Sequence, residues 1–120
     1  MTEENPLDAL IILLNKFKVC SPSKSNNEWS EINSLLIFLY ICKNEQKGTL
    51  SRDLEEIIGL RQSSMSRNLT KLSDPNYIYN KNGRGLLRGI EDPYERRRKK
   101  WFLTSKGEKL KNTIVEWRKN

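Results

Sequence analysis

The sequence predicts a mainly helical chain with one small antiparallel β-hairpin, an α+β domain of about five helices. Three observations predict it. Apolar residues recur at three- and four-residue spacing in separate segments, the mark of helices with one buried face. Between Leu86 and Leu103, two short apolar runs flank an Asp-Pro turn and five consecutive cations, Arg96 to Lys100. The whole is 120 residues, enough for one modest core and too short for two, so residues 1–120 read as a single domain.

Taken in order, residues 1–20 hold the N-terminal helix, for which Asn5 fits the N-cap and Pro6 the first turn. Leu7, Leu10, Ile11, Leu14 and Phe17 form its apolar stripe, and Ile12 and Leu13 widen it beyond one packing face. Such a helix either lids its own core or packs against a second copy of the chain. Residues 21–27 are a loop by composition. A second helix is expected from about Ser30 to Asn44. Ile32, Leu35, Leu36, Leu39 and Tyr40 share one face of it, while Ile37, Phe38, Ile41 and Cys42 fill much of the rest. A helix apolar nearly all round is a core helix.

A third, short helix begins with Ser51 as N-cap, buries Leu54, Ile57 and Ile58, and stops at Gly59, where a positive φ is wanted. After Leu60-Arg61 a fourth helix starts near Gln62, with Met65, Leu69 and Leu72 facing the core. Ser63, Ser64, Arg67, Asn68 and Lys71 are placed on its opposite side, with Ser66 at the boundary. Two short helices joined through a glycine turn are the helix-turn-helix pattern. The outward face carries no acid. Its serines let the backbone approach a phosphate or base edge, Arg67 is long enough for guanine, and Asn68 has the donor–acceptor pair that suits adenine.

Asp74-Pro75 ends that helix, and Tyr77-Ile78-Tyr79 is a short strand or an apolar patch. The hairpin comes next. Its connection is too long for a two-residue turn, so its basic tip is expected to stand off the body as an arm. Trp101, at its base, is assigned to the core. Ser105 is the expected N-cap of a last helix through Leu110, Ile114 and Trp117, spanning 105–120.

Charge sharpens the reading. Residues 1–80 hold 9 basic against 10 acidic side chains, and residues 81–120 hold 13 against 5. The whole excess of the +7 net charge lies in the hairpin and the C-terminal tail, so a polyanion is expected at one end of the molecule. No apolar run approaches the ~18 residues that span a bilayer, and the acidic start Met1-Thr2-Glu3-Glu4 is unlike a signal peptide, so a cytoplasmic protein without membrane partner is expected. Two cysteines and no histidine leave no zinc site, and no metal or other cofactor is expected. With no histidine, activated cysteine, phosphate-cradling loop or clustered carboxylates, there is no base or nucleophile to assign, and an enzyme is not expected.

From Gly48 to Leu110 the chain resembles the MarR family of winged-helix transcription regulators. The hairpin carries most of the resemblance. Its Gly85-Leu86-Leu87 entry, Asp92-Pro93-Tyr94-Glu95-Arg96-Arg97 tip and Leu103-Thr104-Ser105-Lys106-Gly107 exit match the family's order and spacing. Gln62-Ser63-Ser64-Met65-Ser66-Arg67 is similar to the start of the family's recognition helix. The resemblance implies a homodimer on a pseudo-palindromic DNA duplex, with a winged helix-turn-helix over residues 48–104. The recognition helix, with Gln62, Ser63, Ser64, Ser66, Arg67, Asn68 and Lys71, would enter the major groove. The wing, with Arg88, Asp92, Arg96, Arg97, Arg98 and Lys99, would reach the flanking minor groove. There Asp92 would brace the tip by pairing with Arg96 or Arg97, leaving the other arginine for the narrow groove.

The chain departs from the pattern at three places. Gly89 stands where the family usually has Arg, and Leu72 to Gly85 is several residues longer than usual. Only 13 residues come after Gly107, where members commonly continue into a long dimerisation helix. Dimerisation is therefore expected on the first and last helices. A different class of function, a winged helix that docks a protein partner in a replication or transcription complex, is the alternative. Stacking of single-stranded nucleic acid on Trp101, Tyr94 and Tyr79 is a lesser one.

Overall fold

In the computed structural model, residues 5–20, 30–73, 83–91, 93–94 and 99–117 are described. They form five helices, α1 (Pro6–Cys20), α2 (Ser30–Lys43), α3 (Ser51–Ile58), α4 (Gln62–Leu72) and α5 (Ser105–Trp117), and three strands, β1 (Thr49–Leu50), β2 (Leu87–Glu91) and β3 (Lys99–Leu103). The architecture is thus mainly helical with a small antiparallel sheet. No described helix is long and apolar enough to cross a membrane.

Helix α2 is the centre. Leu36, Ile37, Phe38, Leu39, Ile41 and Cys42 are all buried, because α1, α3, α4, α5 and β3 pack around it. Leu35 is the exception to its apolar girdle and stays exposed. Helix α1 does lid this core through Leu7 and Ile11, and Asn5 caps it by accepting the Leu7 N–H at 2.9 Å. Its extra apolar residues face out, Leu13 most of all at 62% exposure.

The sheet has the order β1-β3-β2, one strand more than the hairpin expected from the sequence. Thr49 pairs with Trp101 and Leu50 with Lys100, and two residues are too few to show a period of two in the sequence. Across the hairpin Leu87 pairs with Leu103, Gly89 with Trp101 and Glu91 with Lys99. Strand alternation turns Leu87, Gly89, Trp101 and Leu103 to the core. Trp101 is a core residue at 4% exposure, and its indole N–H donates to the Ser51 hydroxyl at 2.8 Å.

That hydrogen bond corrects one expectation. Ser51 is not the cap of α3; Leu50 holds that position without a side-chain bond, and the Ser51 hydroxyl serves Trp101 instead. Ile57, expected in the core, is 55% exposed, since a helix of two turns can bury only the stripe through Leu54 and Ile58. Gly59 does end α3 with φ +81°, its N–H closing on the Glu55 carbonyl at 2.8 Å. At the start of α5 the cap is Thr104, not Ser105: its hydroxyl accepts the Gly107 N–H at 3.1 Å.

Candidate nucleic-acid interface

The segment Ser51 to Leu72 is helix, three-residue turn, helix, with α3 and α4 packed on one another. Met65, Leu69 and Leu72 anchor α4 against the core as the spacing predicts. Gln62, Ser63, Ser66 and Arg67 are exposed, and Ser64 is half-buried. No acid lies in its first turn, and the N-cap residue, Arg61, makes no side-chain cap bond. The helix therefore turns to solvent a small, polar, cationic surface whose own N-terminal N–H groups favour an anion.

Asn68 does not belong to that surface. It is 7% exposed, accepts a hydrogen bond from the Ser34 hydroxyl at 2.6 Å, and donates through Nδ2 to the Ser64 carbonyl at 2.9 Å. The amide is a polar tie between α4 and α2, with no edge left to read a base. Helical spacing held the clue: Asn68 lies three residues after Met65 and four before Leu72, inside the buried stripe.

Lys71 is reachable but engaged. Its ammonium donates to Glu31 Oε1 at 2.9 Å, and the Arg84 guanidinium donates to Glu31 Oε2 at 3.2 Å. The hydrogen bond and charge of Lys71, with those of Arg84, hold the Glu31 carboxyl below its ordinary range despite some loss of solvation. Neither Arg84 nor Glu31 was singled out by the sequence, because the three charges are far apart in the chain.

Main-chain bonds tie the hairpin to α4. The carbonyls of Lys71, Leu72 and Ser73 accept N–H groups of Arg84 (2.9 Å), Leu86 (2.8 Å) and Gly85 (3.0 Å), and Ser73 bridges Leu87 in parallel. The segment entering β2 thereby satisfies carbonyls that the end of α4 leaves open. The Leu86 carbonyl in turn accepts the Thr104 N–H at 3.0 Å, and Lys106 donates to the Arg84 carbonyl at 2.8 Å. Helix α4, the base of the hairpin and the start of α5 form one hydrogen-bonded unit.

On the hairpin, Arg88 is exposed and lies with its guanidinium 5.6 Å from the Phe102 ring centroid, on the outer face with Ile90 and Lys100. Arg88 also lines an open groove of about 500 Å³ with Thr104, Ser105 and Lys106. Lys99 is half-buried opposite Glu91. Gly89 faces inward against Trp101, so this position offers nothing to a ligand. Asp92, Arg96, Arg97 and Arg98 lie outside the described residues, and with them the proposed Asp92 brace; so do Asp74 to Tyr79. Tyr94, from the same stretch as Asp92, is almost fully exposed.

Among the described residues no three of Cys, Asp and Glu come together as metal ligands. Cys42 is buried, and loss of solvation pushes its thiol up to about 12, so it is an inert hydrophobe at neutral pH. A second open cavity of about 780 Å³ lies among Pro6, Cys42, Lys47 and Lys111, at the junction of α1, α2 and α5. Comparison of the chain with protein families, with characterised proteins and with solved structures gives no match.

Proposed function

We propose that the chain is a sequence-specific double-stranded DNA-binding protein, a transcriptional regulator of the winged helix-turn-helix type akin to the MarR family. The observation that carries this reading is the acid-free outward face of α4, bonded through its last carbonyls to a hairpin in the strongly basic half of the chain. Gln62, Ser63, Ser66 and Arg67 read base edges or phosphates in the major groove, and the hairpin cations hold the backbone and minor groove. Asn68 is a packing residue and has no part in readout. A second copy docks through α1 and α5, which pack on one another and leave Ile12, Leu13 and Leu110 exposed.

Selection from a random duplex pool tests the reading. The expected product is an inverted repeat with half-sites about 10 bp apart. Arg67→Ala should relax preference at one position of each half-site, at a cost of roughly 1–3 kcal/mol, whereas Arg98→Ala should weaken all duplexes alike and lower the salt slope by about 1. A pool that returns no enriched sequence, together with co-purification of one protein partner and no duplex shift, would replace this reading with that of a protein-docking adaptor.

A further inference from the structure

Glu31 stands out because one exposed carboxylate serves two cations that the fold has brought side by side. Lys71 and Arg84 are 13 positions apart in the chain, yet the Arg84 N–H donates to the Lys71 carbonyl at 2.9 Å, and both side chains reach one acid from α2. Two cations held this close repel unless an anion bridges them. The bridging group is planar, has two oxygens, and takes one cation on each. A phosphodiester offers the same pair of acceptor oxygens.

The position of the pair gives it meaning. Lys71 lies four residues beyond Arg67 on α4, so both lie on one stripe of that helix. Glu31 is 69% exposed, and an ion pair on so well solvated a carboxylate is weak and easily exchanged. A carboxylate at this place costs the fold little to lose and weighs directly against an approaching polyanion.

We infer that Glu31 is a built-in counter-ion that occupies a phosphate position at the end of the DNA-reading stripe and lowers affinity for duplexes of any sequence. The inference rests on the DNA-binding reading above. Non-specific binding comes from phosphate neutralisation, whereas base readout by Arg67 does not involve Glu31. Masking two backbone-binding cations therefore weakens both kinds of complex, and a specific site, with its additional base contacts, retains useful affinity when random DNA does not.

The test compares Glu31→Gln with wild type on a duplex of random sequence, titrated at several salt concentrations, using the full chain. Glu56→Gln, an equal charge change at an exposed acid of α3, controls for net charge. Expected is a gain of about two- to fivefold for Glu31→Gln at about 0.1 M salt, with a salt slope steeper by about 1, and a smaller gain for Glu56→Gln. The gain should vanish when Lys71→Gln and Arg84→Gln are added. Unchanged or weaker binding by Glu31→Gln, an equal gain from Glu56→Gln, or a gain that survives loss of both cations would overturn the inference and leave the DNA-binding reading standing. Wild-type protein that binds no duplex at all would overturn both.

Discussion

Arg67 and Asn68 are neighbours on α4, the first exposed and the second buried, and their substitutions separate recognition from folding. Asn68→Ala removes the buried hydrogen bond from the Ser34 hydroxyl that ties α4 to α2, and losing one such bond costs about 0.5–1.5 kcal/mol. Urea titration should show a lower midpoint with an unchanged m-value, while the base preference of the folded fraction stays as in wild type. Cys42 supplies a prediction in pH. Its thiol is raised from 9.0 to about 12 in the folded chain, so the unfolded chain loses that proton first. Stability from this group is intact below pH 9.0 and falls as pH rises toward 12. In Cys42→Ala that alkaline decline should be reduced, as a series of denaturant melts at rising pH would record. For the exposed Glu31 the sign is opposite: its lowered carboxyl helps the fold above its unfolded value, and the help is lost as acid protonates it.

At the scale of elements, the joint between hairpin and α5 is the tightest described. A Cβ on Gly107 would sit 2.3 Å from the Leu86 carbonyl oxygen, the same oxygen that accepts the Thr104 N–H. Neither backbone group can yield without breaking the bond that seats the hairpin. Gly107→Ala gains about 1 kcal/mol of helix propensity, and overpacking of about 1–3 kcal/mol outweighs it. Thermal melts should show a net loss of stability, and hydrogen exchange should rise at Thr104 and Leu86 first. Gly59 is a contrasting case, with open space where a Cβ would sit and only its left-handed backbone to satisfy.

For the whole molecule, the division of charge and of apolar surface suggests two working ends. In the proposed function α4 and the basic hairpin bind DNA, whereas the outward faces of α1 and α5 bind a second copy. Leu13→Asp tests the latter, since a side chain already 62% exposed adds little to the fold of the single chain. Sedimentation should show wild-type dimer and mutant monomer, with melts that agree within about 0.5 kcal/mol at equal monomer content. A wild type that sediments as a monomer would remove the homodimer from the proposal. It would also make paired half-sites an unexpected product of the duplex selection.

Local chemistry was enough for much of this. The five helices, the stop at Gly59, the Asn5 cap, the Met65–Leu69–Leu72 anchor and the core place of Trp101 all come from spacing, turn residues and bulk, which act within a few residues. So did the exposure of Gln62, Ser63, Ser66 and Arg67. What the sequence alone could not supply was the choice among partners for each polar group. Ser51 was free to cap α3 or to receive the Trp101 indole, and only the pairing of β1 with β3 brought that indole to it. Asn68 turned inward because Ser34 waits on α2, and Lys71 met Glu31 because α2 and α4 pack together. A side chain's periodicity says which way it points; whether it greets solvent, DNA or another helix depends on contacts between residues tens of positions apart, and those exist only once the chain has closed on itself.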